Sequence, residues 1–107
     1  MRKVIIESPY TGDIEKNLKY ARACCADALK RGEAPFASHL LYTQEGILDD
    51  NIQEEREQGM EAGFTWMAMA DAIIVYEDLG VSSGMQVGIS RAKKIGMPIE
   101  YRSILGR

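Results

Sequence analysis

Hydrophobic positions along this chain follow two patterns, short continuous runs and a spacing of three or four residues. Residues 3–7 and 72–76 each centre on consecutive apolar side chains without polar alternation. Such runs are typical of strands covered on both faces of a parallel sheet, so we predict strands there. A further short strand is predicted over residues 34–41. The alternation of Ile99 and Tyr101 with polar neighbours predicts a half-exposed final strand.

Helical spacing fills the intervals between these runs. From residue 14 onward apolar side chains recur at steps of three and four, with Asp13 as the expected N-cap and Gly32 as the C-terminal cap. A second helix is predicted over residues 51–70 and a third over residues 84–95. For the third helix, Ser83-Gly84-Met85-Gln86 predicts a capping box.

Strands and helices therefore alternate as β-α-β-α-β-α-β. Right-handed crossovers between parallel strands place helices on both faces of the sheet, which gives a three-layer α/β sandwich. We expect four strands (a fifth is the alternative) in the order 2-1-3-4, and a single domain over residues 1–107. At this length the chain has room for one core only.

Composition narrows the function classes. The net charge of −3 and the pI of about 5.1 argue against a nucleic-acid surface. No apolar run reaches the ~20 residues of a membrane span. The segment before the first predicted strand is too short for a signal peptide, so none is expected. The adjacent Cys24 and Cys25 are expected to be reduced thiols in a cytoplasm. Metal-ligand spacing is missing, so neither a metal nor a cofactor is expected.

Two loops are expected to meet where the strand order reverses, outside the carboxyl ends of strands one and three. They cover residues 7–12 and 77–84 and offer hydroxyls, backbone amides, one aromatic ring and three carboxylates. This inventory suits a sugar with a base or phosphate attached; an ordinary βα turn is the alternative. Tyr10 would stack on a base or cap the edge of the core. The predicted ligand-binding residues are Ser8, Pro9, Tyr10, Asp78, Gly80, Ser82, Ser83, Gly84 and Met85.

Several charged or aromatic side chains have two interpretations each. Glu7 and Asp78 are the candidate catalytic carboxylates. The alternative is a solvated or paired carboxylate for Glu7 and a solvated turn for Asp78. Arg56 and Arg102 are candidate anion contacts, and the alternative for each is a surface role. His39 would face the crevice or serve as a structural histidine. Gly59 and Gly63, four residues apart in the second helix, fit either close approach of a ligand or backbone, or loose packing.

The sequence resembles an uncharacterised phage and bacterial family that is similar to nucleoside 2-deoxyribosyltransferases and 2′-deoxynucleoside 5′-phosphate N-hydrolases. The resemblance is carried by Ser8-Pro9-Tyr10, the segment from Arg56 to Trp66, Asp71, and Asp78-Leu79-Gly80-Val81-Ser82-Ser83-Gly84-Met85. It implies a flavodoxin-like fold and a nucleoside or nucleotide pocket. It also implies a dimer or higher homo-oligomer whose subunits complete each other's sites.

The transferases carry a pattern like Asp-Ser-Gly-Thr-Ala-x-Glu-Ile-Gly-x-Ala at the third helix, in which the glutamate attacks the anomeric carbon. Laid on residues 82–92, this pattern places its aspartate on Ser82 and its glutamate on Gly88. Gly88 has no side chain, so covalent transfer by the family route lacks its nucleophile there.

The first hypothesis is therefore non-catalytic binding of a nucleotide or nucleoside derivative. By resemblance, this would be a phage protein in the host cytoplasm that sequesters a nucleotide signal such as a cyclic ADP-ribose relative. The alternative is an N-glycosidase or 2-deoxyribosyltransferase with a relocated carboxylate, Glu7 or Asp78. A third interpretation is a structural subunit that uses Trp66 and the methionines as an interface.

Overall fold

Four parallel strands form one sheet in the order β2-β1-β3-β4, in a computed structural model that describes residues 1–106. The strands and helices, in chain order, are β1 (Arg2–Glu7), α1 (Ile14–Lys30), β2 (Glu33–Phe36), a 3₁₀ turn (Ser38–Leu40), α2 (Gln53–Met67), β3 (Ala72–Tyr76), α3 (Ser83–Lys94) and β4 (Ile99–Arg102). This confirms the predicted fold class and strand order. Within the described residues, none of the helices is both long enough and apolar enough to cross a membrane.

The continuous apolar runs lie in β1 and β3, the two central strands, and both faces of these strands are covered. Val4, Ile6, Ile74 and Tyr76 pack against α1 on one side. On the other side, alternate strand residues pack against α2 and α3; these are Ile5, Ile73 and Val75 with Met67, Met85, Ile89 and Ala92. Every side chain of β3 is fully buried. The three-layer, flavodoxin-like arrangement follows from this burial.

The predicted boundaries need three corrections. The strand expected over residues 34–41 ends at Phe36, and the chain then turns, with Leu40 N donating to Ala37 O at 3.0 Å. Helix α2 is shorter than the predicted range of residues 51–70, because the chain forms turns at both ends of it. In these turns Ile52 N donates to Asp49 O and Ala70 N donates to Met67 O. Helix α3 begins one residue early. Ser82, not Ser83, is its N-cap: its Oγ accepts from Met85 N, and its N donates to Met85 Sδ.

A buried ion pair joins the outer strands on the α1 face. Both terminal nitrogens of Arg102 donate to the Glu33 carboxylate at 2.7 Å, and one also donates to Tyr76 Oη at 3.2 Å. Both charged side chains are 10 % exposed. The bonds from Arg102 outweigh burial and hold the pKa of Glu33 below its usual value. Arg102 is therefore a structural residue here.

Replacing Arg102 with Met should destabilise the fold by roughly 3 kcal/mol, because Glu33 would remain buried with only the more exposed Arg2, 3.2 Å away, as its partner. The lowered pKa of Glu33 contributes stability above pH ~4.5 that is lost as the pH falls through the folded value. Urea unfolding at several pH values should therefore show a smaller acid-induced loss in R102M than in the wild type. Equal stability of the two proteins at pH 7 would contradict this role.

Candidate functional site

The first loop at the carboxyl edge of the sheet is held rigidly behind β1. Ser8 and Pro9 are buried, and Tyr10 follows at the edge. The buried Asn17 of α1 donates its Nδ2 to the carbonyls of Tyr10 at 2.9 Å and Thr11 at 3.1 Å. These two bonds fix where the Tyr10 ring can point.

A cleft lies between this loop, the 3₁₀ turn, α2 and the start of α3. Its inner cavity, about 70 Å³, is lined by Glu7 and Gly88 together with mostly apolar groups from Ile5, Phe36, Ser38, Gly63, Phe64 and Met67. Its outer cavity, also about 70 Å³, is lined by Tyr10, Thr11, Asp50, Arg56 and Ser82. His39, Met60 and Gly84 line both cavities. We call the two together the Glu7 cleft.

Glu7 contributes the carboxyl group of the inner cavity. It makes no hydrogen bond or ion pair with any residue in the described chain, and burial raises its pKa to about 8. At pH 7 the group is therefore mostly a neutral acid that can donate its O–H to a ligand. Because Glu7 holds its proton more tightly in the folded protein than in the unfolded one, it contributes to the free energy of unfolding. This contribution is fully present below pH ~4.5 and is lost as the pH rises through about 8.

Gly88 provides the space for this acid. A Cβ atom built on residue 88 would lie 2.7 Å from Glu7 Cδ and 3.0 Å from Oε1. The position on which the transferase pattern places its glutamate therefore faces the same cavity as Glu7. A carboxyl group is present there, but it comes from strand β1 instead of helix α3.

The outer cavity combines rings with a cation. The Tyr10 and His39 rings stack with centroids 4.9 Å apart and planes 22° apart. Burial lowers the pKa of His39, with the neighbouring Asp50 opposing that shift, so the imidazole is neutral at pH 7. Arg56 is exposed at the mouth and forms no ion pair within residues 1–106. Arg56 is thus placed to meet an anion.

The start of α3 faces the cleft through Ser82 and Gly84. The Ser82 hydroxyl already accepts the Met85 amide proton as the helix cap. The amides of Ser83 and Gly84 are in the first turn, where an α-helix supplies no internal acceptor. These donors and Arg56 lie on the outer side of the cleft, where they can meet an anion, and Asp50 contributes a carboxylate to the same lining.

Asp78 lies outside the Glu7 cleft. Its carboxylate accepts from Tyr20 Oη at 2.5 Å, from Ile104 N at 3.0 Å and from Leu105 N at 2.8 Å. Burial alone would raise its pKa, but these bonds outweigh burial, so the pKa of Asp78 is lowered. Its oxygens anchor the C-terminal segment, and this side chain lines neither cavity of the Glu7 cleft.

The remaining predicted residues separate into three groups. Gly80 and Pro9 line a groove of about 390 Å³ next to Ser82, on the far side of the first loop. Met85 is in the core at 1 % exposure, and Ser8 is buried behind the loop. Arg102 is bound to Glu33. The structure thus brings together Glu7, Tyr10, Arg56, Ser82 and Gly84, with the Ser83 amide beside them.

Sequence reasoning missed the contribution of Met60 and Phe64 to the cleft, although the glycine spacing in α2 pointed towards it. A Cβ on Gly63 would meet Ser38 at 3.7 Å, and one on Gly59 would meet Leu48 at 3.2 Å. The close approach is therefore that of α2 to the chain of residues 38–48. It is this packing that places Met60 and His39 in the wall of the cleft.

A larger groove of about 820 Å³ lies on the other side of Tyr10, and its lining is acidic. Glu45, Asp49, Asp50 and Glu55 line it, and it includes no Lys or Arg. An anion is disfavoured there by charge. The smaller Glu7 cleft is therefore the better candidate for a phosphate-bearing ligand.

Comparisons with known proteins agree with this fold. A family model described as "Domain of unknown function (DUF7768)" matches residues 2–102. Among solved structures, a 2-deoxyribosyltransferase from the psychrotolerant bacterium Bacillus psychrosaccharolyticus superposes with a TM-score of 0.74 at 17% identity. The match covers 98% of this chain and 74% of that one. A search of curated proteins finds no match.

Changing Asp78 to Asn should lower the free energy of unfolding by about 2 kcal/mol, because bonds from three donors to a charged acceptor are weakened. The C-terminal segment should also become more sensitive to carboxypeptidase. Glu77→Gln is the matched control, since the Glu77 side chain is exposed and makes no such bonds. If D78N and E77Q unfold at the same urea concentration, the anchoring role assigned to Asp78 is wrong.

Proposed function

Because the chain belongs to the DUF7768 family and has the fold of a 2-deoxyribosyltransferase, we propose that it binds a nucleotide or another nucleoside-derived small molecule without turning it over. The observation that carries the proposal is a single cleft with a cation on its outer side and a neutral acid in its inner cavity. A phosphate would lie on the outer side, against Arg56 and the α3 amides. An uncharged sugar would reach Glu7.

The inner cavity favours an uncharged group for two reasons. Its walls are largely apolar, so a second anion would lose hydration without gaining a partner. Its one acid is mostly protonated at pH 7, so it donates a hydrogen bond and suits an acceptor such as a ribose oxygen. The stacked Tyr10 and His39 rings supply a flat surface on which a base would lie.

The state of the carboxyl groups supports binding without turnover. A nucleophile at the anomeric carbon must be ionised. At pH 7 roughly nine-tenths of Glu7 is protonated if its pKa is about 8. Asp78 is engaged by its three donors, and Gly88 has no side chain. Asp50 lines the outer cavity and not the inner one, where the sugar would lie. Binding without turnover fits this arrangement better than catalysis, and sequestration of a nucleotide signal is the role that it would serve.

A homo-oligomer is part of the proposal. Each cavity of the Glu7 cleft is far below the roughly 300 Å³ at which ligand pockets usually begin. A nucleotide would therefore project from the cleft and leave its base partly uncovered by one subunit. A neighbouring subunit would cover it. Trp66 and Met69, 50% and 65% exposed, are available for contact between subunits.

Changing Arg56 to Ala should weaken binding of a phosphate-bearing ligand about tenfold, the loss expected when one charge-assisted contact of about 1.4 kcal/mol disappears. The assay is isothermal calorimetry with deoxynucleoside 5′-monophosphates, the matching deoxynucleosides and cyclic nucleotides. R22A is the matched control, because Arg22 is an exposed arginine on α1 that lines none of these cavities. Binding weaker than millimolar across the whole panel would end the proposal, and equal affinities in R56A and R22A would remove Arg56 from the site.

The second candidate function is an N-glycosidase in which Glu7 is the nucleophile, and the position of Glu7 in the cleft is what favours it. Its ionised carboxylate would attack C1′, the bond to the base would break with its electrons leaving on the base, and water would release the sugar. Turnover would then rise with pH through about 8 and vanish in E7Q. If a neutral Glu7 binds the ligand, the pH dependence is the opposite. Affinity then falls as the pH rises past about 8, and in E7Q it no longer depends on the protonation of residue 7. Chromatography for free base between pH 6 and 9 separates the two, and we expect no release.

A further inference from the structure

Gly88 differs from the other glycines that lie in helices. Gly59, Gly63 and Gly84 would each accept a Cβ atom with nothing nearer than 3.2 Å. At residue 88 the same atom would lie 2.7 Å from Glu7 Cδ, nearer than real Cβ atoms come to any neighbour. The missing side chain of Gly88 therefore leaves space that one particular carboxyl group fills.

The walls of the inner cavity explain why Glu7 is sensitive to this space. Apolar side chains that offer the carboxyl no polar partner line much of this cavity, namely Ile5, Phe36, Phe64 and Met67. Ser38 and His39 also line it, and neither forms a hydrogen bond with Glu7 in the described structure. The cavity is only about 70 Å³ in volume, so a methyl group on residue 88 would compete with the carboxyl for room. We expect a displaced Glu7 carboxyl to move outward, towards the outer cavity and solvent, because the two cavities meet at Gly84.

We infer that Gly88 is a positioning residue of this site, which by lacking a side chain lets strand β1 supply the acid that a ligand meets in the Glu7 cleft. The identity of that ligand rests on the proposed function. The positioning itself is a property of the free protein and needs no ligand to be measured. In this arrangement the acid belongs to the sheet that forms the floor of the cleft, and helix α3 provides only bare backbone beside it.

None of the charged groups around the inner cavity holds the Glu7 carboxyl in place, so the space at Gly88 is what controls its position. Among the described residues that line the inner cavity, His39 is the only other titratable group, and it is neutral at pH 7. Arg91, one turn further along α3, lies 4.3 Å from the centre of the Phe64 ring and pairs with Glu61. Arg56 and Asp50 belong to the outer cavity. None of these side chains bonds to the Glu7 carboxyl.

The test is the pKa of Glu7, measured from its side-chain carboxyl carbon by NMR in the wild type, in G88A and in G63A. Gly63 is the matched control, a helical glycine in the same cavity whose Cβ would have ordinary room. We expect the pKa to fall from about 8 towards 4.5 in G88A, where the acid is pushed to solvent, and to stay near 8 in G63A. A pKa that remains near 8 in G88A overturns the inference.

A double variant covers the case in which G88A does not fold. E7A/G88A removes both the acid and the obstacle, so it should be as stable as E7A in thermal unfolding. If the double variant also fails to fold, the crowding at residue 88 is not with Glu7 and the inference is wrong. Loss of pH-dependent binding of a deoxynucleoside 5′-monophosphate in G88A, as in E7Q, would extend the result to the ligand. If the wild type binds no nucleotide, the proposed function fails while the pKa comparison still decides the role of Gly88.

Discussion

The placement of a partly buried, unpaired carboxyl group beside bare helix backbone is the constraint on which the proposed site depends. Glu7 ends the central strand β1, where its backbone is paired with Val75 of β3. The cavity above it is apolar, and helix α3 leaves room at Gly88. Neutralising the acid costs less than burying its charge without a partner, and the raised pKa of Glu7 expresses that balance.

This arrangement costs stability where the acid ionises, and other parts of the fold offset that cost. The Glu33–Arg102 pair joins the two edge strands on the α1 face. Asp78 fixes the C-terminal segment against β3 and α1 through Tyr20, Ile104 and Leu105. Charged groups that are paired thus stabilise the frame, and Glu7, which has no partner among residues 1–106, is the acid that the proposal assigns to the ligand. This division between paired and unpaired acids is what separates Glu7 from Asp78.

The fold was largely predictable from the sequence, and the site only in part. Continuous apolar runs at β1 and β3 fixed the central strands, and the cap residues Asp13 and Gly32 marked the ends of α1. The candidate residues at the carboxyl edge came from topology, because parallel strands end at the same edge. Topology could not tell Glu7 from Asp78, since the donors that engage Asp78 come from residues 20, 104 and 105, far away in sequence. Glu7 and Gly88 are 81 positions apart in the sequence, so their proximity likewise could not be predicted without the folded structure.

The most direct measurement of the central claim is the linkage between the Glu7 proton and ligand binding. The side-chain carboxyl resonance of Glu7 would be titrated with and without a saturating deoxynucleoside 5′-monophosphate. If the neutral acid donates to the ligand, the pKa starts near 8 in the free protein and rises further when the ligand is bound. A Glu7 that titrates near 4.5 in the free protein, or whose pKa does not change with ligand, would contradict the account.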